Sequence, residues 1–190
     1  MGGAKIDLAT DFRDRLRAFV DHDVRFLIVG AYALAVLARP RATGGLDVWV
    51  DPTPENADRA YAALREFGAP LHDLTPRDLA HPGVVFQIGL PPLRIDVLTQ
   101  ISGVDFATAW PRRQEALFDD VQVAVLGRDD FIANKRATGR LKDLADADFT
   151  PPPGNLHHPG FEPSQMGRGL GDRFCRDVRR SLHRAGLLLR

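Results

Sequence analysis

The chain has 190 residues, of which 44% are hydrophobic and 26% are charged, and its formal net charge is zero. These totals fit one globular domain of ordinary size with a hydrophobic core. No apolar run reaches the length of a membrane span, and the N-terminus lacks the basic and apolar segments of a secretion signal. The single cysteine, Cys175, excludes an intramolecular disulfide and a multi-cysteine zinc site. We therefore expect a cytoplasmic protein with no membrane partner.

The first half of the chain predicts alternating helices and strands. Apolar residues spaced three or four apart predict a helix over "TDFRDRLRAFVDHD". The apolar run "VRFLIVG" then predicts a buried strand that ends at Gly30, and "AYALAVLA" predicts a short buried helix that stops at Pro40. "LDVWV" is the next predicted strand, and "PTPENADRAYAALREFG" is a predicted helix with Pro54 in its first turn.

The second half predicts a strand pair, a further strand and more helices. "GVVFQIGL" and "LRIDVLTQ" are expected to form a hairpin through Pro91-Pro92. "VDFATAW" predicts a helix, "VQVAVL" predicts a strand, and "RDDFIANKRAT" and "GRLKDLADADF" predict two helices separated at Gly139. The order indicates an α/β (α+β) fold, in which a small mixed sheet is flanked by helices and followed by a helical C-terminal part.

Charge and composition both change near residue 150. Residues 1–150 contain 18 Lys and Arg against 22 Asp and Glu, whereas residues 151–190 contain 7 against 3. We expect a folded domain over residues 1–149 and a flexible Pro/Gly-rich linker over 150–171. Residues 172–190 would form a basic helix or a disordered tail. This tail could contact the acidic body or nucleic acid.

Two aspartates on predicted strands are the first candidate site residues. Side chains alternate between the two faces of a strand, so Asp47 and Asp96 can converge on one face if their strands are neighbours. Paired carboxylates without cysteine or clustered histidine suit a hard cation, above all Mg²⁺. The alternative is that both are strand-edge aspartates that cap neighbouring loops.

Gly30 is the second candidate, because it ends a strand and opens a helix. Such a turn directs free backbone N–H groups and the positive end of a helix dipole toward a ligand. A glycine there also lets a phosphate approach the backbone closely. Carboxylates, a metal ion and a phosphate-holding turn are together suited to phosphoryl or nucleotidyl transfer.

Three segments, "LIVGAYALAVLARPRATGGLDVWV", "RIDVL" and "IANKRATGRLKDLADAD", follow one another in a familiar order. This pattern resembles the nucleotidyltransferase-fold family that includes the bacterial abortive-infection (type IV toxin–antitoxin) nucleotidyltransferase toxins. The resemblance spans roughly residues 10–148. It implies a nucleotidyltransferase fold, an NTP substrate, Mg²⁺ as cofactor, and transfer of a nucleoside monophosphate to a hydroxyl of RNA or of a partner protein.

By position, the resemblance also implies roles for individual residues. Asp47 and Asp96 would be catalytic acids and metal ligands. Contacts to the substrate phosphates are implied for Gly30, Ala31, Arg41, Thr43, Lys135, Arg140 and Lys142.

Some of these residues have an ordinary structural alternative. Lys135 and its basic neighbours could form a solvated helix face that pairs with Asp143 and Asp146. Trp49 shares the face of Asp47 and could stack on a base, although packing under a helix is favoured. Tyr32 has the same two alternatives.

The sequence departs from the family pattern at Gly45, where the first acid of a pair should stand. Two metal ions about 3.5–4 Å apart repel each other and need dense negative charge, so the loss of one acid weakens their binding. Ala31 is a milder departure, because it replaces a glycine or serine. Two functions therefore remain open: a weakened Mg²⁺-dependent nucleotidyltransferase, or an inactive, nucleotide- or partner-binding member of a toxin–antitoxin-type system.

Overall fold

The computed structural model describes residues 5–6, 10–38, 43–148 and 150. The chain divides into two units, Met1–Thr150 and Pro151–Arg190, and the described residues belong to the first. The predicted linker and C-terminal tail, apart from Thr150, therefore lie outside the described residues, as does Arg41. No helix in the described part of the chain is long and apolar enough to cross a bilayer.

Within the described residues, seven strands form one mixed sheet. They are β1 (Lys5–Ile6), β2 (Phe26–Val29), β3 (Gly45–Val50), β4 (Val85–Ile88), β5 (Arg94–Leu98), β6 (Gln114–Phe118) and β7 (Val121–Val125). Their order across the sheet is β1-β6-β7-β2-β3-β5-β4. The pairs β2–β3, β4–β5 and β6–β7 are antiparallel, whereas β1–β6, β2–β7 and β3–β5 are parallel.

The helices flank this sheet and connect its strands. They are α1 (Thr10–Asp21), α2 (Gly30–Leu37), α3 (Pro54–Glu66), α4 (Pro76–Leu79), α5 (Phe106–Ala109), α6 (Arg128–Thr138) and α7 (Leu141–Asp148). A short 3₁₀ turn, Trp110–Arg112, extends α5. Gly139, with a φ of 66°, ends α6 in the left-handed conformation and lets α7 begin two residues later.

The strands that carry the candidate residues are packed on both faces. Leu27 and Ile28 of β2, Val48 and Trp49 of β3, and Val97 of β5 are almost completely buried. Burial of a side chain of this kind stabilises the fold by about 1.5–3 kcal/mol. Within β3, the half-buried Asp47 interrupts an otherwise buried strand, so the packing of its neighbours determines where its carboxylate lies.

Two aromatic residues considered for base stacking belong to the core instead. Trp49 packs edge-on against Phe106, with ring centroids 4.9 Å apart. Tyr32 lies against Phe12 and Phe118. The favoured interpretation of Trp49, packing under a helix, is therefore confirmed.

The predicted mixed sheet with flanking helices is confirmed, including the hairpin of β4 and β5. Three elements were not predicted. β6 carries the polar residues Gln114 and Glu115 and buries only two of its five side chains, so it lacks a clear apolar alternation. α4 is a single turn with a capping box between Thr75 and Asp78. β1 is only two residues long.

Candidate functional site

A cleft of about 640 Å³ opens beside the β2–α2 turn, the first residues of β3 and β5, and the α6–α7 turn. It brings together eight of the nine predicted site residues, and the ninth, Arg41, lies outside the described residues. The eight are Gly30, Ala31, Thr43, Asp47, Asp96, Lys135, Arg140 and Lys142. They are widely separated along the chain, so their meeting in one cleft is a result of the fold.

Asp47 and Asp96 stand beside each other on adjacent strands. β3 and β5 run parallel and pair Asp47 with Asp96. Neighbouring strands are about 4.7–4.9 Å apart, and side chains paired in this way project to the same face of the sheet. Both residues line the cleft, and Asp96 is only 7% exposed. The expected convergence of the two aspartates on one face is therefore confirmed.

Position 30 requires a glycine for two reasons, its backbone conformation and the closeness of a carboxylate. It begins α2 with a φ of 64°, in the left-handed region that favours glycine. A Cβ atom at Gly30 would overlap the carboxylate of Asp47, because Val29 pairs with Asp47 across β2 and β3. The structure thus places an acid against the first turn of α2, where the helix dipole favours negative charge. The next residue, Ala31, is buried.

Arg94 is a cleft residue that the sequence analysis did not assign to the site. Its Nη2 donates a hydrogen bond of 2.8 Å to Asp96 Oδ2, and its side chain is 34% exposed. Residues two apart on a strand share a face, so the spacing in "RIDVL" was a signal for this pair. The other oxygen, Asp96 Oδ1, is buried and has no hydrogen-bond partner among the described residues.

Three polar residues of the cleft, where α6 packs against the loop after β5, were also not predicted. Asn134 of α6 donates a hydrogen bond of 2.9 Å to the backbone carbonyl of Ser102, and both line the cleft together with Gln100. No spacing pattern links these residues along the chain. Only the packing of α6 against the loop after β5 brings them together.

Gly45, where the family pattern has an acid, has no room for a side chain. It is buried at the start of β3 and pairs with Arg94. A Cβ atom there would collide with the backbone carbonyl of Arg94, which cannot rotate aside as a flexible side chain can. Thr43 Oγ1 donates a hydrogen bond of 2.9 Å to the Gly45 carbonyl and so supports this tight entry into the strand. An aspartate at position 45 would require β3 and β5 to move apart.

Lys135 is held in a buried ion-pair network between α6 and α7. Its Nζ lies 2.6 Å from Asp143 Oδ1 and 3.6 Å from Asp146 Oδ2, and its side chain is 8% exposed. Thr138 Oγ1 donates a hydrogen bond of 2.9 Å to Asp143 Oδ2, and Arg140 Nε lies 3.4 Å from the same oxygen. The predicted pairing with Asp143 and Asp146 is therefore present for Lys135, but it is buried rather than solvated.

The network keeps Asp143 ionised. Burial by itself would raise the pKa of the Asp143 carboxyl, but hydrogen bonds from Lys135 and Thr138 and the charges of Lys135 and Arg140 hold that pKa below its ordinary value. The charge of Lys135 is thus already balanced by the carboxylates of Asp143 and Asp146. Arg140 and Lys142 are exposed instead, so they are the basic residues of the helical side that a ligand meets first.

The cleft brings together two carboxylates, Asp47 and Asp96, and places the Arg94 guanidinium against one of them. No group of three or more His, Cys, Asp or Glu in the described part of the chain is arranged to hold a metal ion. Asp96 Oδ1 could accept a cation, but the Arg94 guanidinium already lies against the same carboxylate. Two like unit charges about 4 Å apart near a protein surface repel by about 4 kcal/mol, and a divalent ion doubles that repulsion.

Comparisons with known proteins add no family to this description. A scan against protein-family models finds no match for the chain, and a search of curated proteins also finds none. What the fold and the cleft define is a mixed α/β protein with a charged cleft beside a glycine turn.

Proposed function

We propose that this chain is a nucleotidyltransferase-like protein whose cleft binds the phosphate groups of a nucleotide, with nucleotidyl transfer weakened or lost. One observation carries the proposal. The glycine turn at Gly30, the paired Asp47 and Asp96, and the basic residues of the α6–α7 turn all line the same cleft. The sequence resemblance assigns catalysis and metal binding to the two aspartates and phosphate contacts to Gly30 and the basic residues, and all of them come from distant parts of the chain.

The electrostatics of the cleft favour a ligand that carries phosphate. The described lining residues include four basic and three acidic side chains. Two of the acids, Asp96 and Asp143, are buried and paired with basic residues. Arg140 and Lys142 are exposed, so an anion that approaches from solvent first meets positive charge.

The same cleft disfavours efficient transfer. Gly45 contributes no carboxylate, and its position against the Arg94 carbonyl leaves no space for one. Asp96, one of the two acids that the resemblance assigns, is paired with Arg94, and Lys135 is paired with Asp143. The charged groups that transfer would use are thus missing or already bound to one another, which supports binding over catalysis.

Equilibrium binding tests the proposal. Isothermal titration of the full chain with ATP, GTP, CTP and UTP is expected to detect binding to at least one triphosphate. Inorganic pyrophosphate should compete, and the corresponding nucleoside should not. An Arg140→Gln/Lys142→Gln double variant should bind at least about tenfold more weakly, because two exposed positive charges are lost.

The matched control is an Arg59→Gln/Arg65→Gln double variant, since both arginines are exposed on α3 and neither lines the cleft. It should bind within about twofold of the wild type. A folded wild-type protein that binds none of the four triphosphates would contradict the proposal.

A second candidate is transfer of a nucleoside monophosphate to a hydroxyl of RNA or of a partner protein. The in-register pair of Asp47 and Asp96 favours it, because convergent carboxylates are what the reaction class uses. Incubation with α-labelled triphosphates and with RNA or protein acceptors tests it. Transfer on the order of 1–10³ s⁻¹ that is abolished in Asp96→Asn would establish this function. A Gly45→Asp variant is unsuitable, because it would disturb the β3–β5 pairing before it tested catalysis.

A further inference from the structure

We propose, on the basis of the nucleotide-binding function above, that the Arg94 guanidinium takes the place of a divalent cation in this cleft. The ligand is a phosphate-bearing molecule such as a nucleoside triphosphate, and it binds without Mg²⁺. In a metal-dependent site a cation joins a carboxylate to a phosphate. Here Arg94 joins Asp96 to the phosphate instead.

Arg94 is fixed within the cleft and is still accessible. It begins β5, where its backbone is held by pairing with Gly45 of β3. Its Nη2 is bonded to the buried Asp96 carboxylate at 2.8 Å, which orients the guanidinium. About one third of the side chain remains exposed, and the residue lines the cleft. The carboxylate therefore holds one edge of the guanidinium, and part of the Arg94 side chain remains accessible from the cleft.

The chemistry of arginine suits this role. Its guanidinium is planar, permanently charged and less strongly hydrated than an ammonium, and it presents several N–H donors in a fixed geometry. Such a group can bond to a carboxylate and to a phosphate at the same time, with charge-assisted hydrogen bonds to both. Unlike Mg²⁺, it does not need a near-ideal octahedral shell of oxygen ligands.

Titration of the full chain with ATP in EDTA and in excess Mg²⁺ tests the proposal. The wild type should bind ATP in EDTA, and its dissociation constant should change less than about threefold when Mg²⁺ is added. Arg94→Gln should weaken binding in EDTA by about tenfold or more. It should also restore a dependence on Mg²⁺, because Asp96 loses its permanent counter-charge.

The matched control is Arg113→Gln. Arg113 pairs with Glu115 two residues further on, its side chain is 32% exposed, and it does not line the cleft. Its substitution should leave ATP binding within about twofold of the wild type in both conditions. Circular dichroism of each variant confirms that it is folded.

The possible outcomes separate the two proposals. Wild-type binding that requires Mg²⁺ overturns the role of Arg94 and leaves the nucleotide-binding function standing, and this comparison needs no variant. Arg94→Gln binding as tightly as the wild type in EDTA overturns it as well. Failure of the wild type to bind ATP, the other triphosphates or pyrophosphate in both conditions removes the proposed function itself.

Discussion

The cleft has a helical wall, formed by α6 and α7, and a strand wall, formed by β3 and β5, and each wall holds a buried carboxylate against a basic residue. The walls differ in how many oxygens of that carboxylate are hydrogen-bonded. On the helical wall, both oxygens of Asp143 are bonded, to Lys135 and to Thr138. On the strand wall, Asp96 bonds to Arg94 through Oδ2, while its Oδ1 has no hydrogen-bond partner in the described part of the chain. Lys135 is 8% exposed and Arg94 is 34% exposed.

This difference separates a structural ion pair from one that remains available to a ligand. A fully satisfied and buried pair resists rearrangement, because removing either partner leaves an uncompensated charge. A partly exposed arginine can bond to a further anion while it keeps its carboxylate, because the guanidinium has several N–H donors. The comparison teaches that Lys135, which the sequence pattern singled out, is bound into the fold, whereas Arg94, which was not predicted, stays partly exposed in the cleft.

The largest expected effect is on the helical wall. Lys135→Met should lower the free energy of unfolding by about 3–5 kcal/mol, because Asp143 would remain buried without its cation. Lys142 is an exposed lysine of α7. Lys142→Met should change the free energy of unfolding by about 0.5 kcal/mol or less. Urea denaturation of the two variants measures both values. Equal, small losses would show that the Lys135 pair is not structural.

The next effect sharpens the description of the strand wall. Gly45→Ala should destabilise the protein by about 1–3 kcal/mol, because its Cβ atom meets the Arg94 carbonyl. Gly44→Ala is the matched control, since the nearest atom to a Cβ there is Pro91 Cβ at 3.8 Å. That change should be neutral or stabilise by up to about 1 kcal/mol. If the two variants were equally stable, the close approach of β3 and β5 would be contradicted.

A pH dependence should follow from the helical wall. The pKa of Asp143 is lowered in the folded state, so this carboxylate stabilises the fold fully above its unfolded pKa of about 3.9. That contribution is lost as the pH falls through the folded pKa. The difference in unfolding free energy between the wild type and Asp143→Asn should therefore be constant from pH 7 to 5 and shrink below pH 4. Asp148→Asn, at an exposed position on the same helix, should show no comparable change. A difference that does not shrink at all as the pH falls from 5 to 2 would contradict the lowered pKa of Asp143.

The smallest effect concerns Arg140. It lies 3.4 Å from Asp143 Oδ2, but its side chain is 66% exposed. Arg140→Gln should therefore cost about 0.2–1 kcal/mol of stability at low salt, and less at 1 M NaCl because the charges are screened. Thermal melts at both salt concentrations measure this effect. A loss close to that of Lys135→Met would mean that Arg140 also belongs to the structural network.

Several elements could be predicted from the sequence because each carries a local pattern. The apolar run of β2, the helical spacing of α1 and α3, and the Pro91-Pro92 junction of the β4–β5 hairpin are visible along the chain, and each element was found. β6 could not be predicted because its exposed side chains hide its alternation. The grouping of Asp47 with Asp96 was also expected, since both lie on strands and the resemblance placed them in one site.

The sequence by itself determined the type of most elements, because periodicity and turn residues are local properties, and its resemblance to a family pattern grouped Asp47 with Asp96. Only the tertiary structure decided what those residues do to one another. The distance between β3 and β5 leaves no space for a side chain at position 45, and the packing of α6 against α7 buries Lys135 against Asp143. Both results depend on separations between elements distant in the chain, and whether a charge is buried and satisfied is set by those separations.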